Sequence, residues 1–295
     1  MPRVLVVGDV MVDVIVRPEG PIAIGADRRA TIRSKPGGSA ANQAAWLVHF
    51  GVAARLVGRV GAADKDAQEN IFAKAGVEAR LAPDETKETG RLVALIDPSG
   101  ERSFFTDRGA NDGLVASDIP DALLDDIDHV HISGYSFVHP GPRGAMIDLI
   151  ARAKRRDAPT SVDPASSEFL REIGPANFLA WTRGVAMCFP NEDEARVLTD
   201  ADAPSEQLAR LAAHYPLVVL KRGAAGCEAA EGAEGTRRWR ATAPRVAAID
   251  TTGAGDAFFA GFLAARLSGA PMEACLQRAA QAGAKATLSL GGRPV

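Results

Sequence analysis

The residues Asp250-Thr251-Thr252-Gly253-Ala254-Gly255-Asp256-Ala257-Phe258 run straight into an apolar stretch of helical character. Gly253 and Gly255 let the backbone approach an anion closely, and the helix start beyond them offers unpaired N–H groups and the positive end of a dipole. A phosphate would sit there. Asp256, in the first helical turn, could take the proton of an acceptor hydroxyl during phosphoryl transfer. Asp is also a common cap after a glycine turn, so this stretch alone supports either role. Neither familiar nucleotide signature is present: Phe258 stands where a dinucleotide fingerprint needs its third glycine, and no Gly-Lys-Ser/Thr closes a P-loop.

Other segments carry weaker signals of the same chemistry. Gly37-Gly38-Ser39-Ala40-Ala41-Asn42 is a glycine turn before a helix, with Asn42 one turn in and able to both donate to and accept from a polyol. Asp13 lies among apolar neighbours and could accept from two adjacent hydroxyls, or be a surface carboxylate. Asn191 and Glu194 have the spacing of a capping box, and their hard oxygens would also suit magnesium held through water. Lys221-Arg222-Gly223-Ala224-Ala225-Gly226 follows an apolar strand and reads as a strand turn or a nucleotide loop. Arg108, in Arg108-Gly109-Ala110-Asn111, could bind an anionic group. His129, His131 and His139 lack ligand spacing and read as structural.

Taken together, these pieces resemble the ribokinase-like (PfkB-type) carbohydrate kinases along nearly the whole chain. The resemblance implies that Asp256 is the catalytic base, Gly253, Ala254 and Gly255 the anion hole, and Gly37 and Gly38 a hinge. It implies that Asp13 and Asn42 grip the sugar, with Arg108 and Tyr135 facing the same cleft. Asn191, Lys221, Gly223 and Gly226 would serve the nucleotide, and Glu194 would act on magnesium through water. Asp250 and Thr252, with the stretch Ala286 to Arg293, match a loop for a monovalent cation such as K+. The implied activity is transfer of the γ-phosphoryl group of ATP, with Mg2+, to a small sugar or sugar acid. A nucleoside kinase is the alternative within the family, and a non-catalytic sugar-responsive regulator the alternative outside enzymes. Ser39, Met11 and Ser133-Gly134-Tyr135 depart from the ribokinase pattern, and Tyr135 is similar to relatives acting on hexoses, ketoses or sugar acids.

These residues must be positioned by elements that the patterning predicts. Val4 to Val7 reads as a strand buried on both faces, with Asp9 marking its carboxyl edge. Val10 to Val16, Arg29 to Arg33, and a hairpin of Arg91 to Ile96 and Arg102 to Asp107 around Asp97-Pro98-Ser99-Gly100 would form a small antiparallel lid sheet. Strands are expected at 54–57, 129–132, 160–162, 185–189 and 217–220. Helices are expected at 39–50, 63–75, 143–156, 192–198, 205–214, 255–267 and 272–290. The alternation gives an α/β class: a three-layer α/β/α sandwich with a mainly parallel central sheet, as one domain over residues 1–295, with lid strands inserted at about 10–35 and 90–108.

Composition bounds the rest. With 295 residues and 46% hydrophobic content the chain can bury a sizeable core, and 34 Lys+Arg against 37 Asp+Glu give a net charge of −3. No basic excess suggests nucleic acid, and the short cluster Lys154-Arg155-Arg156 reads as a solvated helix end. Cys188, Cys227 and Cys275 fit neither a disulfide framework nor a zinc site, which favours a cytoplasmic setting. No apolar run is long enough for a membrane span. The apolar face of the lid favours a homodimer through the lid.

Overall fold

The computed structural model describes residues 1–22, 25–97, 102–232 and 235–294. Its strands in chain order are β1 (Arg3–Val7), β2 (Met11–Pro18), β3 (Ala30–Gly37), β4 (Ala53–Gly61), β5 (Glu78–Asp84), β6 (Thr89–Ile96), β7 (Arg102–Gly109), β8 (His129–Ser133), β9 (Thr160–Asp163), β10 (Met187–Cys188), β11 (Leu217–Lys221), β12 (Cys227–Glu231) and β13 (Arg237–Ala241). Its α-helices are α1 (Ser39–His49), α2 (Lys65–Lys74), α3 (Pro140–Arg155), α4 (Ser167–Ile173), α5 (Pro175–Trp181), α6 (Glu192–Thr199), α7 (Pro204–Ala212), α8 (Ala254–Leu267) and α9 (Met272–Ala286).

The larger sheet has the order β13-β12-β11-β10-β9-β8-β1-β4-β5, parallel from β11 to β5, with β12 and β13 antiparallel at one end. The apolar run in β1 explains its central place: Val4 and Val6 pack with α1, α8 and α9, while Leu5 and Val7 pack on the opposite face. Helices α3 to α7 cover that opposite face, which completes the three layers. Helix α8 is buried almost all round, with Phe258, Phe259, Phe262 and Leu263 in the core. Each such side chain contributes about 1.5–3 kcal/mol on burial, so the amino end of α8 is rigidly placed.

The second sheet has the order β3-β2-β6-β7 and is mixed rather than antiparallel as the sequence suggests. Its two central strands, β2 and β6, pair in parallel with Asp13 opposite Leu92. The reason is topological. β2 follows β1 and β6 follows β5, and these parent strands run the same way in the main sheet, so both continuations leave in the same direction; β3 and β7 then return antiparallel. Of the expected turn Asp97-Pro98-Ser99-Gly100, residues 98–100 lie outside the described residues.

Other boundaries shift for physical reasons. Helix α9 ends at Ala286 rather than near residue 290, because the carbonyl of Thr287 accepts from the N–H groups of Ile249 (2.8 Å) and Asp250 (3.1 Å) and the chain then turns back over the site. Strands β5, β12 and β13 and helices α4 and α5 were not legible as separate elements: β5 has Pro83 near its end, and β12 and β13 are rich in Ala, Glu and Arg. No helix among the described residues is long and apolar enough to cross a membrane. All three cysteines are buried free thiols.

Candidate active site

The carboxyl ends of β1, β8, β9 and β11 open into one crevice, the place where open parallel sheets bind ligands. Asp256 stands there in the first turn of α8. Its carboxylate accepts from Ser39 Oγ at 2.7 Å and from Asn42 Nδ2 at 3.1 Å, so the amino ends of α1 and α8 are tied together through it. Burial pushes its pKa up to about 7, against the lowering effect of those two hydrogen bonds. No side chain caps α8, and Gly253 takes a left-handed φ of 74° before it. The helix start therefore leaves backbone N–H groups around Gly255 and Asp256 facing the crevice, as an anion site requires.

Asp9, read from the sequence only as a strand edge, organises the start of α1. It accepts from the N–H of Ser39 at 2.8 Å and from Ser133 Oγ at 2.7 Å, and it sits at the positive end of that helix. Gly38 has φ 94°, and a Cβ there would meet the Asp9 carbonyl oxygen at 2.5 Å. A Cβ on Gly37 would run into the carboxylate of Asp13. The paired glycines thus permit close packing of the lid strand, the helix start and two carboxylates.

A cavity of about 290 Å³ lies between lid and body. Lid and hinge contribute Met11, Asp13, Leu92, Thr106 and Arg108 to its wall, and the body contributes Asn42, Tyr135, Phe169, Gly253 and Asp256. Burial raises Asp13 to about 6, helped by the charge of Asp9 and opposed by Arg293. Tyr135 packs edge-on to Phe169 at 5.5 Å, and the Arg108 guanidinium lies 5.2 Å from its ring centre.

A second cavity, about 620 Å³, opens on the other side of the α8 amino end. Gly223, Ala224, Gly226, Val246, Phe258 and Gly283 are in its wall, giving it a mostly apolar character suited to a flat heterocycle. Gly226 has φ 93°, and a Cβ there would meet Thr242 Cα at 2.9 Å. The two cavities share two wall residues, Lys221 and Gly255. A Cβ on Gly255 would sit 3.4 Å from Lys221 Nζ, so this glycine keeps the passage between them open.

Lys221 ion-pairs with Asp163 at 2.6 Å; burial works against its charge, but Asp163 and Glu194 outweigh it and hold the ammonium protonated. Asn191 and Glu194 form a reciprocal capping box, with 2.8 Å bonds from the Asn191 N–H to Glu194 and from the Glu194 N–H to the Asn191 side chain. Both line the smaller cavity and are absent from the wall of the larger one. Burial raises Glu194 to about 7, with Lys221 opposing. No cluster of three or more potential metal-ligating side chains occurs among the described residues. Asp163, Asn191 and Glu194 do put hard oxygen atoms into the wall of the smaller cavity, donors that would suit magnesium held through water.

Asp250 works as a clasp. Its oxygens accept from the N–H of Thr252 and of Gly291, each at 2.9 Å, which binds the turn before α8 to the carboxyl-terminal segment. That segment is further held by Trp46 Nε1 donating to Gly292 O (2.8 Å) and Lys35 Nζ donating to Leu290 O (2.7 Å). Arg293 reaches back to Asn42 Oδ1 at 3.4 Å and Gly37 O at 3.2 Å. The structure therefore adds Asp9, Ser39, Asp163, Phe169 and Arg293 to the residues the sequence singled out. Asp9 and Asp163 carried one usable signal, an acid at the carboxyl end of a buried strand. Arg293, at the far end of the chain, carried none. His129 and His131 both lie 2.7 Å from Ser161 Oγ in the core, and burial lowers both, His129 to about 3, consistent with a structural role.

Comparison with known proteins gives the family and the fold. The family model described as pfkB family carbohydrate kinase matches residues 1–294. The chain is 30% identical to an ATP-dependent ribose-1-phosphate kinase of Halopiger xanaduensis, over 96% of this chain and 91% of that one. Its structure is similar to that of adenosine kinase from Sinorhizobium meliloti, with a TM-score of 0.88, 25% identity, and coverage of 100% and 96% of the two chains. It also shares its fold with a putative Ribokinase II from E. coli in complex with ATP and Mg2+, with a TM-score of 0.86, 23% identity, and coverage of 99% and 94%.

Proposed function

The chain belongs to the pfkB family of carbohydrate kinases, and from that premise we propose that it transfers the γ-phosphoryl group of ATP to a hydroxyl of a small sugar or sugar acid, with Asp256 as the base. The observation that carries this reading is the meeting of two cavities at Gly255 and Lys221, with the Asp256 carboxyl in the wall of the smaller one.

ATP would lie in the larger cavity, its base against the apolar wall and its phosphates toward Lys221 and the turn at Gly253. The acceptor would lie in the smaller cavity, held by Asp13 and Asn42. As the acceptor oxygen bonds to phosphorus, the bond from phosphorus to the ADP oxygen breaks and the hydroxyl proton passes to Asp256. The N–H groups at the start of α8 receive charge developing on the phosphoryl oxygens, with no reorganisation needed at that moment. Mg2+, when bound with the nucleotide, neutralises phosphate charge; Glu194 and Asp163 would orient its water, since their own oxygens are engaged by Asn191 and Lys221.

A cavity of about 290 Å³ has room for a monosaccharide-sized acceptor, and a nucleoside is the alternative that an acceptor screen separates. The chain would work as one kinase unit over residues 1–295 and as a homodimer joined through the lid. An ADP-release assay over pentoses, hexoses, sugar acids and nucleosides tests the reading: acceptor-dependent ADP release with a monosaccharide supports it, and release with nucleosides alone replaces it by nucleoside phosphorylation.

A further inference from the structure

The cations lining the acceptor cavity are differently committed. Lys221 is held by Asp163 at 2.6 Å. Arg108 is only 9% exposed, and its Nε is buried without a hydrogen-bond partner. An oxygen of Asp112 lies 3.6 Å from that Nε, too long for a hydrogen bond, and the same carboxylate faces His139 Nε2 at 3.3 Å. A guanidinium removed from water with open donors is costly unless something completes it. Here it lies against the Tyr135 ring, and its backbone is fixed by Asn111, whose Nδ2 donates to Arg108 O at 2.8 Å while its Oδ1 accepts from the Val10 N–H at 2.9 Å. The group is held in place with its buried Nε donor unused.

Arg108 lines the acceptor cavity and is absent from the wall of the larger one. The acceptor cavity is otherwise rich in acids: Asp9, Asp13, Asp163, Glu194 and Asp256. Such a wall would repel an anionic acceptor unless a cation were reserved for it. Accepting the kinase reading above, on which this step rests, we infer that the acceptor carries an anionic group, a carboxylate or a phosphate, which Arg108 binds while the hydroxyl to be phosphorylated meets Asp256. The guanidinium fork presents paired N–H donors that match either anion in a bidentate manner.

The test compares acceptors that differ only in charge. One pair is a sugar acid and its uncharged amide, and the other is a sugar phosphate and the parent sugar; each is assayed with the wild-type enzyme and with Arg108→Gln and Arg108→Lys. The inference predicts that one anionic member exceeds its neutral partner in kcat/KM, and whichever pair does so identifies the anion. Loss of charge-assisted hydrogen bonds in Arg108→Gln should shrink that ratio about tenfold to a hundredfold, with Lys restoring part of it and the KM for ATP unchanged. Neutral acceptors used as well as anionic ones by the wild-type enzyme overturn the inference and leave the kinase reading intact. A raised KM for ATP in Arg108→Gln with an unaltered ratio also overturns it, by assigning the arginine to the nucleotide. ATP turnover with no acceptor at all would remove both.

Discussion

Asp256 combines the positions of a helix-start acid and a buried base, and its raised pKa makes a prediction that a plain cap does not. The carboxylate is the form that accepts a proton, so with a pKa of about 7 the acceptor kcat/KM should fall about tenfold per pH unit below that value and level off above it. An ordinary aspartate would give a plateau already at pH 5, and a profile of that shape would contradict the burial argument. Asp13 belongs to the other half of the reaction. Asp13→Ala should weaken acceptor binding by about 1.5–3 kcal/mol per lost charge-assisted hydrogen bond while leaving ATP affinity nearly unchanged. Calorimetry with each ligand separates the two, and normal sugar binding with poor ATP binding would reverse the assignment of the cavities.

At the scale of elements, function depends on how closely three backbone segments approach: the turn before α8, the start of α1 and the segment after α9. Gly253→Ala would force a left-handed φ on a residue with a Cβ, a cost of about 1–2 kcal/mol, and would drive that Cβ against the backbone of Gly292. Turnover should drop sharply and the melting temperature by a few degrees; a fully active, equally stable variant would show that the turn is not shaped for an anion. The Asp250 clasp joins the same segments, so a monovalent cation bound beside it would order the turn. Activity in K+ should then exceed that in a bulky organic cation at matched ionic strength, and equal rates would remove the cation from the account. Much of this was legible in the sequence, because glycine positions and helix starts are local signals. Asn42 and Asp13 were singled out chiefly by the resemblance, and both line the smaller cavity. The contact of Arg293 with Asn42 was not, since it joins positions 251 apart in the chain, and the parallel pairing of β2 with β6 depends on strand directions in a sheet that neither segment belongs to.

For the molecule as a whole, the lid is the element with unfinished business. Alternation along its strands puts Val14, Val16, Ile32, Val93, Leu95 and Phe105 on the face turned away from Asp13, where Ile32 is 64% and Phe105 61% exposed. Such a face is expected to be covered by a second copy. Ile32→Glu combined with Phe105→Glu should halve the molecular mass seen in solution; an unchanged mass would refute assembly through this surface. The sandwich and the lid together have one purpose in this account, which is to bring an acceptor hydroxyl, the last phosphate of ATP and the Asp256 carboxylate to one point. Turnover of Asp256→Asn, measured beside its ATP affinity, tests that most directly. The substitution keeps size and one acceptor oxygen for Ser39 or Asn42, so the account predicts ATP bound as in wild type and a rate lower by about a hundredfold to ten-thousandfold; turnover near the wild-type rate would contradict it.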